Sequence, residues 1–123
     1  MRFFITLLAL LAALSCSASI PDSLAVRAIV GEAAGEPYVA KVAVAAAIRN
    51  RGTLDGVYGV KATMADRQPS WVWRDARRAW SESLTNDPTH GASFWESVDF
   101  KTPKWARKMH RTVQIGKTVF YKP

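Results

Sequence analysis

Cysteine is nearly absent from this chain, with one residue, Cys16, among 123. Histidine is almost as scarce, with His90 and His110 alone. So few thiols and imidazoles cannot assemble the ligand set that zinc takes from Cys and His, and no metal or other cofactor is expected. Long apolar runs are missing as well, with one exception. Residues 3–14 read F-F-I-T-L-L-A-L-L-A-A-L, which is 12 residues, short of the roughly 20 that a spanning helix needs. Arg2 precedes the run, and Ser15, Cys16, Ser17 and Ala18 follow it, the order of parts in a secretory signal. Residues 1–18 are therefore expected to be a signal peptide and 19–123 the mature domain. The exported product would hold no cysteine, which excludes disulfides and thiolate catalysis. Two other fates of the stretch keep it. Lipidation of a retained Cys16, or an uncleaved apolar run, would tether the domain to the outer face of a membrane.

Acidic residues are in deficit, 10 Asp and Glu against 17 Lys and Arg, for a formal net charge of +7. A basic exported domain is drawn to polyanions such as teichoic acids, peptidoglycan carboxylates or anionic headgroups, and export argues against nucleic acid as the main partner. The length leaves room for one domain with a modest core. No repeats or low-complexity tracts interrupt it.

Helical periodicity dominates the first two thirds of the mature chain. Leu24, Ala25, Ala28 and Ile29 predict a helix over residues 23–33, with Asp22 or Ser23 as its cap. Val39 and the apolar stretch from Val42 to Ile48 predict a second over 37–51, with Pro37 in its first turn and an almost wholly buried middle. Residues 60–66 read as a short helix or irregular segment. A third long helix is expected over 70–84, capped by Ser70, with Val72, Ala76, Ala79, Trp80 and Ser83 inside and Arg74, Arg77, Arg78 and Glu82 outside. The cluster N-D-P-T-H-G at 86–91 is a turn, with Asp87 as turn former. Residues 92–95 look extended, 103–110 form a short helix, and the tail alternates around Gly116-Lys117 as a hairpin.

The chemistry concentrates at residues 31–37, G-E-A-A-G-E-P, where Glu32 and Glu36 fall at the seam between two apolar helices. Gly31 and Gly35 suit the end of the first helix and Pro37 the start of the next. Glu36, before a proline, suits a capping or surface role. Glu32 closes a helix beside a core, where the macrodipole and lost solvation suit a general acid. The plain alternative is an ordinary helix joint with both glutamates in water. Five tryptophans, Trp71, Trp73, Trp80, Trp95 and Trp105, are many for so small a domain. Most serve a core, but any that line a cleft would stack on sugar rings.

The blocks G-E-A-A-G-E-P-Y-V-A-K-V-A-V-A-A-A-I-R-N-R (31–51), R-Q-P-S-W (67–71), D-P-T-H-G-A-S-F-W (87–95) and I-G-K-T-V-F-Y-K (115–122) together resemble the SleB-type cell wall hydrolases. The resemblance spans residues 24–122. It implies an α+β, mostly helical, lysozyme-like single domain with a small β element, acting on peptidoglycan glycan strands in the periplasm, cell wall or outside the cell. It also implies cleavage of the bond between N-acetylmuramic acid and N-acetylglucosamine, with Glu32 as the catalytic acid. Ser70, Thr89 and Tyr121 are candidates for hydrogen bonds to the glycan and Trp71 for stacking on it. The chain departs from the pattern at Ala34, where relatives carry a polar or basic residue, at His90, where they carry a small one, and over residues 96–104. No second carboxylate stands out among Asp87, Glu96 and Asp99, which favours lytic transglycosylation by one acid over hydrolysis by two. The rival is a catalytically silent, secreted wall-binding protein of the same fold. A monomer is expected in either case.

The signal reading is checked by the intact mass of protein recovered after export. A chain beginning near Ser19 is expected; a species that keeps residues 1–18 would mean an anchor, and a diacylated Cys16 a lipoprotein.

Overall fold

The computed structural model describes residues 19–123, so the expected signal peptide and Cys16 lie outside the described residues. Three helices come first: α1 (Asp22–Ala33), α2 (Tyr38–Arg51) and α3 (Ser70–Glu82). Two 3-10 turns, Tyr58–Lys61 and Thr63–Arg67, link α2 to α3, where a single short segment was expected. Strands β1 (Phe94–Ser97), β2 (His110–Ile115) and β3 (Thr118–Lys122) form an antiparallel sheet in the order β1-β3-β2, with a 3-10 turn at Lys104–Lys108 before β2. The hairpin turns at Gly116, which has φ of 58°, and a bulge interrupts β2 between Arg111 and Val113.

Helix α2 is the centre of the molecule. Every residue from Ala40 to Ile48 is buried, so the helix packs on all sides, and its alanines let its neighbours approach closely. Its Ile48 is fully buried, as are Ile29 and Phe120 in the same core, each contributing about 1.5–3 kcal/mol of hydrophobic stabilisation. Along α3, Val72, Ala76, Ala79 and Trp80 face inward while Arg74, Arg77 and Arg78 stay exposed, as the periodicity predicts.

The helix starts differ from expectation. Neither Asp22, Ser23 nor Ser70 caps a helix through its side chain; the N-caps are Pro21, Pro37 and Pro69, all with extended ψ. A cap residue must be extended, and proline holds that conformation without an N–H that would need a partner. The carbonyls of Pro21, Pro37 and Pro69 accept the first helical bonds. Asp22 is thereby released to accept the Trp80 indole N–H at 2.7 Å.

The end of α1 differs too. The helix runs through Gly31, and its C-cap is Ala34 in right-handed geometry. In place of a left-handed glycine, the buried Lys41 reaches back from α2, its Nζ donating to Ala34 O at 3.3 Å and Glu36 O at 2.6 Å. Burial pushes the Lys41 ammonium below its ordinary value, with Asp75 and Glu36 pulling it back.

Asp87 organises the 86–92 turn. Its Oδ1 accepts the Thr89 N–H at 2.8 Å and the Thr89 hydroxyl at 2.5 Å, and its Oδ2 accepts Asn50 Nδ2 at 2.9 Å and Gly91 N–H at 3.0 Å. Partial burial works against ionisation, but these bonds outweigh it and hold the carboxyl below its ordinary 3.8. A carboxyl lowered on folding stabilises the fold above its unfolded value, and that contribution is lost as pH falls through the folded one. Asp87→Asn is therefore expected to lower the melting temperature at neutral pH, with the gap to the parent narrowing as pH falls below the ordinary carboxylate range. A gap that does not change with pH would show that the charge is not what the turn uses.

Candidate active site

The site begins where two backbones touch. A Cβ on Gly31 would stand 2.1 Å from Gly59 O, and one on Gly59 would stand 2.5 Å from Ala28 O and 2.7 Å from Glu32 Cγ. Only paired glycines allow the Tyr58–Lys61 turn to lie this close on α1. Gly31 thus serves close approach rather than helix termination. At that distance the Gly59 N–H donates to Glu32 Oε1 at 3.0 Å, fixing the carboxyl of the last turn of α1. Arg27, one turn earlier, braces the same segment. Its Nε donates to Val60 O at 2.8 Å, and its Nη1 and Nη2 grip the Asp66 carboxylate at 2.6 Å and 3.0 Å.

Glu32 lines a cleft of about 510 Å³ between this turn and the sheet. Tyr58, Trp95, Phe100 and Trp105 are among its aromatic lining, and Tyr58 and Phe100 are 81% and 69% exposed. Trp105 packs between Phe94 and Tyr121, with ring centroids at 5.7 Å and 5.4 Å. Arg51, from the last turn of α2, and Glu96, from β1, are the cleft's other charged residues, beside the hydroxyls of Ser97 and Thr118. Glu96 Oε1 accepts the Ser97 N–H at 2.9 Å. Among the described residues no three His, Cys, Asp or Glu side chains cluster as metal ligands.

The other carboxylates raised by the sequence have different work. Glu36 turns away from Glu32: its Oε1 accepts the Lys117 N–H at 3.2 Å, stapling the β2–β3 turn to the helix joint. Asp99 lies 3.6 Å from Lys117 Nζ, and Asp87 is committed to its turn. Only Glu96 shares the cleft with Glu32 among these candidates.

Four expected substrate contacts are not brought to the cleft. Ser70 and Trp71 sit exposed at the start of α3, outside the cleft lining. Thr89 is fully buried, its hydroxyl donating to Asp87 and accepting the Ala92 N–H. Tyr121 is buried edge-on against Trp105, beneath the cleft wall rather than on it. Sequence reasoning overlooked Arg51, Tyr58 and Phe100. The last two carried a usable signal, since an aromatic among loop glycines or turn residues has no periodic core face to join.

A second hollow, about 500 Å³ between α1 and α3, shares no lining residue with the cleft. Its Trp80 is covered by the Arg49 guanidinium at 3.5 Å, and its indole N–H is taken by Asp22.

Three packed helices, a small antiparallel sheet and one helix-terminal glutamate in an aromatic cleft define a mostly helical α+β domain of the lysozyme-like class. The catalytic domain of the Bacillus cereus SleB protein matches it with a TM-score of 0.62 at 30% identity, over 85% of this chain and 93% of that one. The catalytic domain of the germination-specific lytic transglycosylase SleB from Bacillus anthracis matches with a TM-score of 0.64 at 31% identity, over 82% and 93%. The chain belongs to the SleB-type cell wall hydrolase family. Among curated relatives, the spore cortex-lytic enzyme of Halalkalibacterium halodurans is 38% identical over 76% of this chain and 32% of its own length. That of Oceanobacillus iheyensis is 32% identical over 78% and 39%. The chain thus spans between 32% and 42% of the length of these curated relatives and of the Bacillus cereus spore cortex-lytic enzyme. No family model matches it.

The glycine contact is open to direct test. Gly31→Ala and Gly59→Ala are each expected to lower unfolding free energy by about 1–3 kcal/mol or more through overpacking. Gly35→Ala, with open space around its Cβ, should stay within about 0.5 kcal/mol of the parent. Equal denaturant midpoints for all three variants would refute the contact.

Proposed function

We propose that this domain cleaves peptidoglycan glycan strands between N-acetylmuramic acid and N-acetylglucosamine as a lytic transglycosylase, with Glu32 as its acid. The observation that carries the reading is Glu32 itself, held by Gly59 in the lining of an aromatic-rich cleft. The name of the Bacillus anthracis relative supports the same reaction. Glu32 delivers its proton to the glycosidic oxygen as the bond to C1 breaks. The C6 hydroxyl oxygen of the same sugar then bonds to C1, and its proton returns to Glu32. No water is consumed, and the product ends in a 1,6-anhydro ring. Peptidoglycan lies outside the cytoplasmic membrane, so the proposal carries export with it.

Glu96 favours a second reading, in which water is the acceptor. It is a second carboxylate in the same cleft, in the role a hydrolytic base would take.

Replacing Glu32 by Gln keeps size and shape but removes the transferable proton. Glu32→Gln is expected to reduce release of soluble muropeptides from purified sacculi by at least ~100-fold with folding unchanged. Activity within about tenfold of the parent would remove Glu32 from the acid role. Mass spectrometry of the parent's products separates the acceptors. Anhydro ends, one water lighter than reducing ends, are expected; mainly reducing ends, lost in Glu96→Gln, would establish hydrolysis instead. Free stem peptides with intact strands would overturn both.

A further inference from the structure

Arg51 lies in the last turn of α2 and lines the cleft that holds Glu32. Its guanidinium sits over the Phe94 ring, 4.7 Å from the centroid, and 6.0 Å from that of Trp95. Nη2 donates to Asp55 O at 2.6 Å. Gly56 crowds the same nitrogen so closely that a Cβ there would stand 2.8 Å from it. The fork is clamped from the aromatic side and from the loop side. Most of its N–H donors nevertheless have no protein partner, and it forms no ion pair with a carboxylate, among the described residues.

A fixed, unpaired cation has a specific use in this cleft. Glu32 and Glu96 are the carboxyls that line it, and Arg51 is the one basic group in the lining. A planar guanidinium offers two parallel N–H donors that match a carboxylate, and stacking on an aromatic ring preorganises it for that contact.

We propose that Arg51 determines specificity by receiving the carboxylate borne by the muramyl residue at the cleavage site. This rests on the glycan-cleaving reading of the cleft. N-acetylmuramic acid differs from N-acetylglucosamine by a lactyl ether that ends in a carboxyl group. In peptide-free strands that group is ionised. In intact wall it is amide-linked to the stem peptide, which carries carboxylates of its own. A strand of N-acetylglucosamine alone offers no carboxylate, and the fork would be left unsatisfied.

The test compares kcat/KM on peptide-free strands and on stem-bearing strands, each before and after carbodiimide amidation of the carboxyls. The parent is expected to lose at least ~10-fold on amidation, mainly through KM. Arg51→Gln should show that loss on untreated strands and no further loss on amidated ones, with Arg51→Lys between. Sensitivity confined to peptide-free strands assigns the lactyl carboxylate; sensitivity confined to stem-bearing strands assigns a stem carboxylate. Binding of the Glu32→Gln protein to the same strands repeats the comparison without turnover. Carboxyl-dependent binding with no cleavage by the parent would sink the lytic reading and uphold Arg51. Cleavage by the parent at equal rates on untreated and amidated strands would overturn the role of Arg51 and leave the lytic reading standing. A loss in Arg51→Gln that amidation deepens further would also overturn it, showing a residue that only shapes the 55–56 loop.

Discussion

The contact between Gly31 and Gly59 is the constraint on which the site depends. Without side chains at either position, the backbone of the turn after α2 lies directly on α1, close enough for a peptide N–H to reach the Glu32 carboxyl. A methyl group on either side would force one backbone to give way, since a Cβ essentially never stands within 3.0 Å of an unbonded heavy atom. The neighbours depend on the same contact. Tyr58 stands at the cleft because it adjoins Gly59, and Arg27 holds the continuation of that turn through Val60 and Asp66. One contact between two glycines therefore positions Glu32, its hydrogen-bond donor and one aromatic wall.

A second constraint fixes the chain just beyond Glu32. Burying an ammonium costs solvation unless its donors find partners, and Lys41 gives two of its donors to the carbonyls of Ala34, the C-cap of α1, and of Glu36 in the joint. A glycine in left-handed geometry would have closed α1 locally, whereas a lysine from α2 ties that end to the central helix. Glu36 continues the connection outward by accepting from Lys117 in the β2–β3 turn. The two glutamates of G-E-A-A-G-E-P are thus divided, one holding the helix joint to the sheet and the other left for the cleft.

Much of this was legible in the sequence because its causes are local. The apolar spacing of α1, α2 and α3, the hairpin around Gly116 and the Asp87 turn all arise from residues a few positions apart. Glu32 was legible for the same reason, as a carboxyl between two apolar helical stretches. What failed depends on partners distant in sequence. Gly31 looks the same whether it ends a helix or admits another backbone, and the deciding residue, Gly59, lies in a separate loop. Trp71 and Trp105 are the same side chain, yet one is solvent-facing on α3 and the other lines the cleft, because only the second is met by Phe94 and Tyr121. Thr89 and Tyr121 belong to the right segments but face inward, since a turn hydroxyl and an inner strand ring were needed for packing.

The two cleft carboxylates differ in how they are held, and that difference bears on which can act as an acid. Each has one oxygen engaged by a backbone N–H. For Glu96 the donor is the next residue of its own strand, so the bond moves with β1 and fixes the side chain only against its own backbone. For Glu32 the donor comes from a separate segment, pinned to α1 by glycine contact and by Arg27, so the carboxyl is fixed relative to the cleft wall. Proton transfer needs the donor oxygen at a set distance from the glycosidic oxygen in the reacting geometry. Binding Oε1 to Gly59 leaves Oε2 of Glu32 without a partner among the described residues, so in the proposed reaction delivery and recovery of the proton would fall to one oriented oxygen. A single carboxyl held in that way can serve both half-reactions in turn, which is the requirement that lytic transglycosylation places on a one-acid site.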